Sequence, residues 1–423
     1  MKHQEFTLNT LGKMENKKFY TKVCIVGAGP SGATLSIFLS RSKIEHFIID
    51  AAIFPRDKVC GDGLDLKAIA ILNQIDKSIL QNELKENGKI NPCWGFRILH
   101  PNGGKTNFLY EPKEENKNKP PYAVSKRLSL DNILIEQFDY DFTTFLQNTK
   151  AQKLEKLENG WKISAINNQQ NIEIYCDLIV GADGDHSIVL KTVGERKINR
   201  NHYAGGVRQY WQGIADIHEK NLMEIYYPRT KPMSYFWIFP LENGLANVGY
   251  GMLSSVAAKH NYNIKENFTQ LLNEDPVLKE RFSNATPLDS ISGWGLPLAS
   301  LKRKCYGDGW LLVGDAGSMI SPTTGEGIGT GMTTGLIASI FIKNAVEKNC
   351  FDEKVFKNFD REIYRRVKDD IRLFNISMWL TPKMMGWVMN SLIRLPIFRR
   401  IFQQKVEQWL HTAYNKTLVV NTN

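Results

Sequence analysis

A glycine-rich turn, GAGPSG at residues 27–32, constrains the fold of this chain more than any other feature. The apolar run KVCIVGA before it predicts a strand, and SGATLSIFLSRS after it predicts a helix. The next apolar run, EHFIID, predicts a second strand that ends at Asp50. Strand, turn, helix and strand in this order predict one βαβ unit.

Each glycine of the turn has a physical role in such a unit. Gly27 allows the tight turn, Gly29 lets the backbone approach a pyrophosphate, and Gly32 lets helix and strand pack closely. Asp50 lies 23 residues after Gly27, where a carboxylate accepts hydrogen bonds from an adenosine ribose. Glycine turns also serve chain direction alone, but the agreement of strand, helix and acid predicts a dinucleotide site. The predicted contacts are Gly27, Gly29, Pro30, Ser31, Gly32 and Asp50.

Two further glycine turns follow predicted strands and distinguish between a nicotinamide and a flavin. The segment WKISAINNQQNIEIYCDLIVGADG predicts two hairpin strands and then a separate buried strand that ends at Asp183 and Gly184. GWLLVGDAG ends at Gly314 and Asp315, and a helix predicted to begin near Gly325 would aim its N–H groups at a flavin pyrimidine edge. Taken singly, both aspartates could be simple turn formers. The predicted contacts are Asp183, Gly184, Gly314, Asp315, Gly325, Gly327 and Ile328.

Together these motifs resemble the flavin enzymes of the para-hydroxybenzoate hydroxylase fold, from about Lys22 to Lys343. The resemblance implies a noncovalent FAD. It also extends to RLSLDNIL, where an arginine, Arg127, is followed by Asp131, and implies that Arg127 contacts FAD. Without the resemblance, Arg127 would be interpreted as a surface arginine at the start of a helix.

The segment PMSYFWIFP carries the spacing PxxYxWxFP, from Pro232 to Pro240. Residues two apart share one face of a strand, so Tyr235, Trp237 and Phe239 would form an aromatic wall, suited to an apolar substrate or to a plain sheet core. With CGDG at residues 60–63 and the FAD motifs, this spacing resembles the geranylgeranyl reductase family. The resemblance implies reduction of carbon–carbon double bonds in prenyl chains, with the wall binding the substrate.

Cys60 and Tyr235 are the candidate catalytic residues. The family resemblance places Cys60 near the isoalloxazine, and the cation of Lys58 nearby could lower its pKa, although a buried, unreactive thiol is an equal alternative. In the implied reduction, flavin N5 delivers hydride to one alkene carbon while Tyr235, Cys60 or a flavin-bound water protonates the other. NAD(P)H or another reductant would supply the electrons.

Other functions share part of these features. A flavin monooxygenase uses the same FAD motifs and remains the alternative, acting on an apolar or aromatic substrate. A flavin halogenase is disfavoured because its WxWxIP signature is absent from the sequence. A non-enzymatic binding role would leave three intact flavin motifs without a purpose.

The length, 423 residues with 42% apolar, is enough for several lobes with large cores. We expect an α/β fold: a Rossmann-type FAD-binding domain, an inserted antiparallel-sheet substrate domain and a C-terminal helical region. The FAD-binding domain is predicted to be discontinuous, from residues 20–90, 121–190 and 296–345. Residues 91–120 and 191–295 would form the substrate domain, and 346–423 the helical region.

Charge and cysteine content indicate partners and compartment. The net charge of +10 comes without zinc-ligand spacing or a long basic run, so nucleic acid and metal are not predicted. Six cysteines without a CxxC pair, and no clean membrane span, favour the cytoplasm. Residues 371–423 hold seven Lys or Arg and one acid, among several tryptophans. This tail predicts either a membrane-surface helix or a helical cap, and the oligomeric state stays open.

Overall fold

The computed structural model describes residues 17–85, 89–194, 196–231, 233–377, 397, 400, 401 and 403–408. Pro232 of the PxxYxWxFP motif and most of the basic tail therefore lie outside the described residues. The α-helices are α1 Pro30–Arg41, α2 Leu66–Ile75, α3 Lys77–Lys85, α4 Arg127–Ile135, α5 Ile188–Val193, α6 Ser254–Lys259, α7 Ile264–Glu274, α8 Pro276–Phe282, α9 Ile328–Glu347 and α10 Phe359–Ser377.

The strands form three sheets. In chain order they are β1 Lys17–Val26, β2 His46–Ile49, β3 Gly63–Leu64, β4 Asn91–Cys93, β5 Gly95–Leu99, β6 Lys105–Leu109, β7 Tyr122–Val124, β8 Thr143–Leu146, β9 Thr149–Lys156, β10 Trp161–Asn167, β11 Gln170–Gly181, β12 Tyr203–Gln212, β13 Met223–Tyr226, β14 Ser234–Pro240, β15 Leu245–Leu253, β16 Thr286–Pro287, β17 Ser292–Pro297, β18 Tyr306–Gly307 and β19 Trp310–Leu312.

The first sheet contains the predicted βαβ unit. Strands β19, β11, β1, β2 and β8 run parallel in that order, and β1 pairs with β2 across the α1 crossover. Helices α1 and α9 pack together on this sheet within one large apolar core, which also contains α2 and α4. Because the carboxyl ends of parallel strands lie at one edge, the three glycine turns that follow β1, β11 and β19 meet there.

The prediction that a hairpin is followed by a further buried strand is wrong, because the second hairpin strand and the buried strand are one continuous strand. The segment from Gln170 to Gly181 is one strand, β11, whose first half pairs antiparallel with β10 while its last residues pair in parallel with β19. On its other side β11 pairs with β1 along almost its full length, from Ile172 to Gly181. Because β11 is one continuous strand, its hydrophobic pattern has no break. The sequence therefore does not show where the neighbouring strand on this edge changes from β10 to β19.

The second sheet is mostly antiparallel and has its own core. Its order is β16-β12-β15-β14-β13-β5-β6, with β17 also paired to β12, and the only parallel pairing among these strands joins β13 to β5. Helices α7 and α8 cover one face through a cluster that includes Phe236, Tyr250 and Phe268. Strands β3, β7 and β4 form a third, small sheet. In the sequence, they stand where the chain passes from the strands of one large sheet to those of the other.

The expected fold class, an α/β flavin-type fold with an antiparallel-sheet lobe, is confirmed. The strands of the first sheet fall within residues 17–49, 143–181 and 306–312, and those of the second within 95–109 and 203–297. We therefore retain the discontinuous FAD-binding domain and the two-segment substrate domain as a proposal. Of the C-terminal region, α10 and residues 403–408 are helical.

Candidate active site

A cavity of about 1440 Å³ lies between the carboxyl edge of the first sheet and one face of the second. Among the predicted cofactor contacts it is lined by Gly27, Gly29, Pro30, Ser31, Asp50, Arg127, Asp183, Gly184, Asp315, Gly325, Gly327 and Ile328. The other predicted residues on its wall are Cys60, Tyr235, Trp237 and Phe239. The structure thus brings together, around one cavity, motifs that are up to 300 residues apart in sequence.

Gly32 and Gly314 do not line the cavity, because they are packing residues. A Cβ on Gly32 would overlap the carbonyl oxygen of Gly27, and a Cβ on Gly314 would overlap Ser31 Oγ. Gly27 itself has φ +104°, a conformation that side chains rarely adopt. These glycines close the helix–strand and strand–strand contacts that hold the turn in place.

Gly29 faces the space that an anion would fill. Among the described residues not adjacent to it in the chain, a Cβ there would have within 4 Å only the guanidinium groups of Arg56 and Arg127, at 3.7 and 3.8 Å. Helix α1 begins at the next residue, Pro30, so its N-terminal backbone dipole adds to these two positive charges. This combination fits the pyrophosphate of a dinucleotide.

Asp50 lies at the carboxyl end of β2 and is held by the backbone. Its Oδ2 accepts a hydrogen bond from the Ala28 N–H at 2.8 Å, and its Oδ1 accepts one from the Ala52 N–H at 2.9 Å. The carboxylate is therefore fixed at the cavity wall, next to the glycine turn, where it can still accept from ribose hydroxyls because each oxygen has more than one lone pair.

Arg127 is a buried residue, which excludes the interpretation as a surface arginine. Its guanidinium makes a bidentate pair with Asp131, through Nε to Oδ1 at 2.7 Å and Nη2 to Oδ2 at 2.6 Å. Asp131 is fully buried, and its Oδ2 also accepts from Arg56 Nη1 at 2.7 Å. One carboxylate thus orients two guanidinium groups toward the cavity. Arg56 was missed in the sequence; its signal is its place in FPRDKVCGDGL, directly after Asp50.

The two downstream aspartates differ in their partners. Asp183 Oδ2 accepts from the Ile188 N–H at 2.6 Å, whereas its Oδ1 is buried with no hydrogen-bond partner among the described residues, and burial raises its pKa. Asp315 Oδ2 lies 3.6 Å from Lys58 Nζ, and both side chains remain partly exposed. An acceptor left unpaired at the wall fits a ligand that donates hydrogen bonds, as the ribityl hydroxyls of FAD do.

The N-terminus of α9 forms a part of the cavity wall beside α1. The helix begins at Ile328, three residues after Gly325, because Gly325 has φ +71° and a residue in that conformation cannot continue an α-helix. The Tyr235 hydroxyl donates to the Thr324 carbonyl at 2.8 Å, and a Cβ on Gly325 would overlap that hydroxyl. The positive end of the α9 dipole therefore lies at the cavity, where it fits a flavin that becomes negative on reduction.

Cys60 and Tyr235 both have raised pKa values, which for Cys60 differs from the lowering that the sequence suggested. Burial raises the pKa of the Cys60 thiol, and this effect outweighs Arg127 and Lys58, so the lowering expected from a neighbouring cation is not found. Burial also raises the pKa of Tyr235, with Tyr227 and Cys60 as smaller causes. Both groups hold their protons at neutral pH, as a proton donor must.

The aromatic wall is formed as the strand period predicts. Tyr235 and Trp237 have ring centroids 5.7 Å apart, and Trp237 and Phe239 6.2 Å apart. The adjoining strands continue the apolar surface across the second sheet. The further apolar lining comes from Phe96, Ile98, Phe108, Met223, Ile225 and Leu296. This side of the cavity suits an apolar chain.

Two acids on the cavity wall, the buried Asp62 and the partly buried Glu326, were not predicted. Asp62 accepts hydrogen bonds at Oδ2 from the Tyr210 hydroxyl and the Asn247 amide, at 2.6 and 2.8 Å, and burial raises its pKa to about 6. Burial raises the pKa of Glu326 to about 8, with the negative charge of Asp65 as a second cause. Their only sequence signal is their position inside the glycine motifs CGDG and GEGIG.

Gly29, Asp50, Arg56 and Arg127, together called the FAD cradle below, fit a dinucleotide, and a match to a known protein family agrees with this. Residues 20–338 match the model of the FAD binding domain. The chain belongs to the FAD-binding domain family. It is therefore an FAD-dependent oxidoreductase, and FAD is its cofactor.

Curated relatives and solved structures confirm the resemblance of this flavoprotein to geranylgeranyl reductases. It is 26% identical to a menaquinone reductase of Mycobacterium tuberculosis over 75% of both chains. It is 22% identical to a digeranylgeranylglycerophospholipid reductase of Methanococcus vannielii, over 88% of this chain and 90% of that one. A geranylgeranyl bacteriochlorophyll reductase-like protein from Thermoplasma acidophilum has a similar fold (TM-score 0.77, 19% identity, 94% and 97% coverage).

The flavoprotein also shares its fold with a flavin-dependent brominase (TM-score 0.72, 17% identity, 93% of this chain and 100% of that one). At this identity the likeness concerns the fold alone. Within the described part of the flavoprotein, no cluster of His, Cys, Asp or Glu could hold a metal ion. No helix in that same part is both long enough and apolar enough to cross a bilayer.

Proposed function

We propose that this flavoprotein reduces carbon–carbon double bonds of a prenyl chain carried by a lipid or a quinone. The observation that carries the proposal is the position of the aromatic wall, Tyr235, Trp237 and Phe239, on the same cavity as the FAD cradle. The names of the relatives, which include menaquinone reductase and digeranylgeranylglycerophospholipid reductase, support the same class of substrate.

When bound, FAD supplies the hydride for one alkene carbon. The chain's own residues do the rest of the work in this proposal. The wall orients the alkene and excludes water, because an apolar surface on one side leaves no partner for ordered water. Cys60 and Tyr235 both line the cavity and keep their protons at neutral pH, so either can protonate the second carbon.

The cofactor roles of individual residues belong to the same proposal. Gly29 with Arg56 and Arg127 would hold the pyrophosphate, and Asp50 the adenosine ribose. Asp183 and Asp315 would accept hydrogen bonds from the ribityl chain, and the Gly325 to Ile328 segment would face the pyrimidine edge. NAD(P)H or another reductant would return two electrons to the flavin after each cycle.

An anaerobic assay tests the proposed reduction against its alternative, a flavin monooxygenase. Reduced holoenzyme is mixed with a geranylgeranyl lipid or a prenylated quinone without oxygen, and the product mass is measured. The proposal predicts a product that has gained two hydrogen atoms per double bond. A product that forms only with oxygen and contains an added oxygen atom would identify a monooxygenase instead.

We further propose that the C-terminal region rests on an anionic membrane surface, from which a prenyl substrate would enter. Among the described residues near the chain end, Leu373, Ile376, Ile397 and Ile401 are exposed apolar side chains, and Arg400 is exposed beside them. Ile401 and Lys405 also line the cavity. Flotation with anionic and neutral liposomes, using the full chain and a chain that ends at Ile371, tests this. Equal flotation of both chains would contradict it.

A further inference from the structure

Trp237 lies flat on the backbone of its own sheet because its neighbours are glycines. Its cross-strand partner is Gly249, where a Cβ would be only 2.5 Å from Trp237 Cε2. Cβ atoms built on Gly61, Gly251 and Gly206 would be 3.6, 3.7 and 3.9 Å from other atoms of the same ring. Gly249 thus leaves a recess in which the indole ring sits, and the other three glycines border it at ordinary contact distance.

Asn247 fixes the orientation of this ring. The indole Nε1 of Trp237 donates to Asn247 Oδ1 at 2.9 Å. The Asn247 amide nitrogen in turn donates to the carbonyl of Cys60 and to Asp62 Oδ2, both at 2.8 Å. Because one side of the amide must accept and the other must donate, these three partners determine which way the amide points.

The groups held by Asn247 come from two parts of the chain that meet at the cavity. Trp237 comes from β14 of the second sheet, whereas Cys60 and Asp62 belong to the CGDG segment that follows the FAD-binding βαβ unit. All three line the cavity, while Asn247 is fully buried behind them and does not. The Tyr210 hydroxyl secures the far side of this network by donating to Asp62 Oδ2 at 2.6 Å.

A purely structural hydrogen-bond network would account for the burial of Asn247. It would not account for the choice of partners, since a stabilising amide in a core need not join three groups that all line one cavity. The glycine recess adds to this point. A glycine inside a strand costs backbone entropy, and here Gly249 leaves room for one ring that faces the cavity.

We propose that Asn247 is a positioning residue that holds the Trp237 ring in its recess against the CGDG segment, and thereby keeps the ring out of the space that a substrate chain would occupy. The substrate class, a prenyl chain, rests on the proposed function. The positioning itself depends only on the contacts of Asn247. Loss of the amide would let the indole ring leave its recess and narrow the cavity.

A double-mutant cycle with Asn247→Leu and Trp237→Phe tests this. Leucine is close to asparagine in size but makes no hydrogen bond, and phenylalanine has no ring N–H to be anchored. We expect N247L to raise the KM for a geranylgeranyl lipid about tenfold or more, as local misfit of a side chain does, with unchanged FAD content. In the W237F background, N247L should change KM by less than threefold. Equal, additive effects in both backgrounds would overturn the proposal.

Asn267→Leu is the matched control, since Asn267 is a buried asparagine of the same lobe that does not line the cavity. It should lower the stability of the protein without changing KM.

Acrylamide quenching of tryptophan fluorescence provides a measurement that needs no substrate. The difference in fluorescence between wild type and W237F isolates the emission of Trp237. In N247L the Trp237 ring should be more accessible to acrylamide, so its emission should be quenched more strongly. Unchanged quenching in N247L would contradict the positioning role of Asn247. Failure of the wild-type protein to reduce any prenyl lipid would instead refute the proposed function, and it leaves the quenching test valid.

Discussion

The hydroxyl of Tyr235 donates a hydrogen bond to the carbonyl of Thr324 at 2.8 Å, which joins the aromatic wall to the loop that precedes α9. The contact works only because the next residue is Gly325. That glycine has φ +71°, and a Cβ on it would overlap the Tyr235 hydroxyl. The cavity wall at the α9 N-terminus and the aromatic wall therefore meet at one glycine.

Gly325→Ala should therefore weaken FAD binding by about tenfold or more, because the added methyl group must displace either Tyr235 or the loop that leads to the α9 N-terminus. Titration of apoprotein with FAD, followed by flavin fluorescence, measures this. Gly103→Ala is the matched control: Gly103 has φ +80°, so its backbone strain is similar, but no atom of the described residues lies within 4 Å of an added Cβ. Equal losses of affinity in the two variants would show that strain alone acts.

Removing the carboxylate that pairs with two arginines should weaken both stability and FAD binding. Asp131→Asn leaves the buried guanidinium of Arg127 without its charge partner, which typically costs about 3 to 5 kcal/mol. Urea unfolding of the apoprotein should show this loss, and FAD titration should show a weaker complex. Glu136→Gln, an exposed acid at the end of the same helix, should change neither quantity.

Cys60 and Tyr235 can be separated as proton donors. The Tyr235 hydroxyl already donates to Thr324, so we expect Tyr235→Phe to lower the rate of alkene reduction less than tenfold. Cys60→Ala should lower it about a hundredfold, the smaller end of what general acid catalysis contributes. Single-turnover product formation from reduced holoenzyme measures both. Cys350→Ala, which removes a half-buried thiol away from the cavity, is the control. A larger loss in Y235F than in C60A would reverse the assignment.

Some residues of the site could be predicted from the sequence and others could not. The glycine turns and Asp50 were predictable because a phosphate-binding turn needs fixed residue types at fixed spacings. The wall of Tyr235, Trp237 and Phe239 was predictable because a strand has a period of two. Asn247 and Asp62 were not, since their 185-residue separation closes only when the CGDG segment packs on the second sheet.

The same limit explains the errors at β11 and Cys60. The pairing of β11 changes from β10 to β19 within one apolar run, so no turn residue marks the exchange. The pKa of Cys60 depends on how far burial outweighs two nearby cations, and the sequence shows the cation of Lys58 but not the burial.

Glu326 should make the stability of the protein depend on pH. Its Oε1 accepts from the Gly329 N–H, while burial and the nearby charge of Asp65 raise its pKa to about 8. Lys67, which is within 4 Å of both Asp65 and Asp370, opposes this rise. In the unfolded chain a glutamate titrates near 4.3, so between about pH 4.5 and 8 the folded state binds more protons than the unfolded state. The contribution of Glu326 to stability therefore falls as pH rises through this range.

Glu326→Gln tests this, because glutamine can still accept the Gly329 N–H but cannot ionise. We expect the variant to be more stable than wild type near pH 8, by up to a few kcal/mol, and the difference to shrink steadily toward pH 5. Urea unfolding of the apoprotein from pH 5 to pH 8.5 measures it. Glu353→Gln, an exposed acid paired with Lys304, should show no comparable trend. A constant difference between E326Q and wild type across this range would mean that Glu326 is ionised in the folded protein at every pH tested.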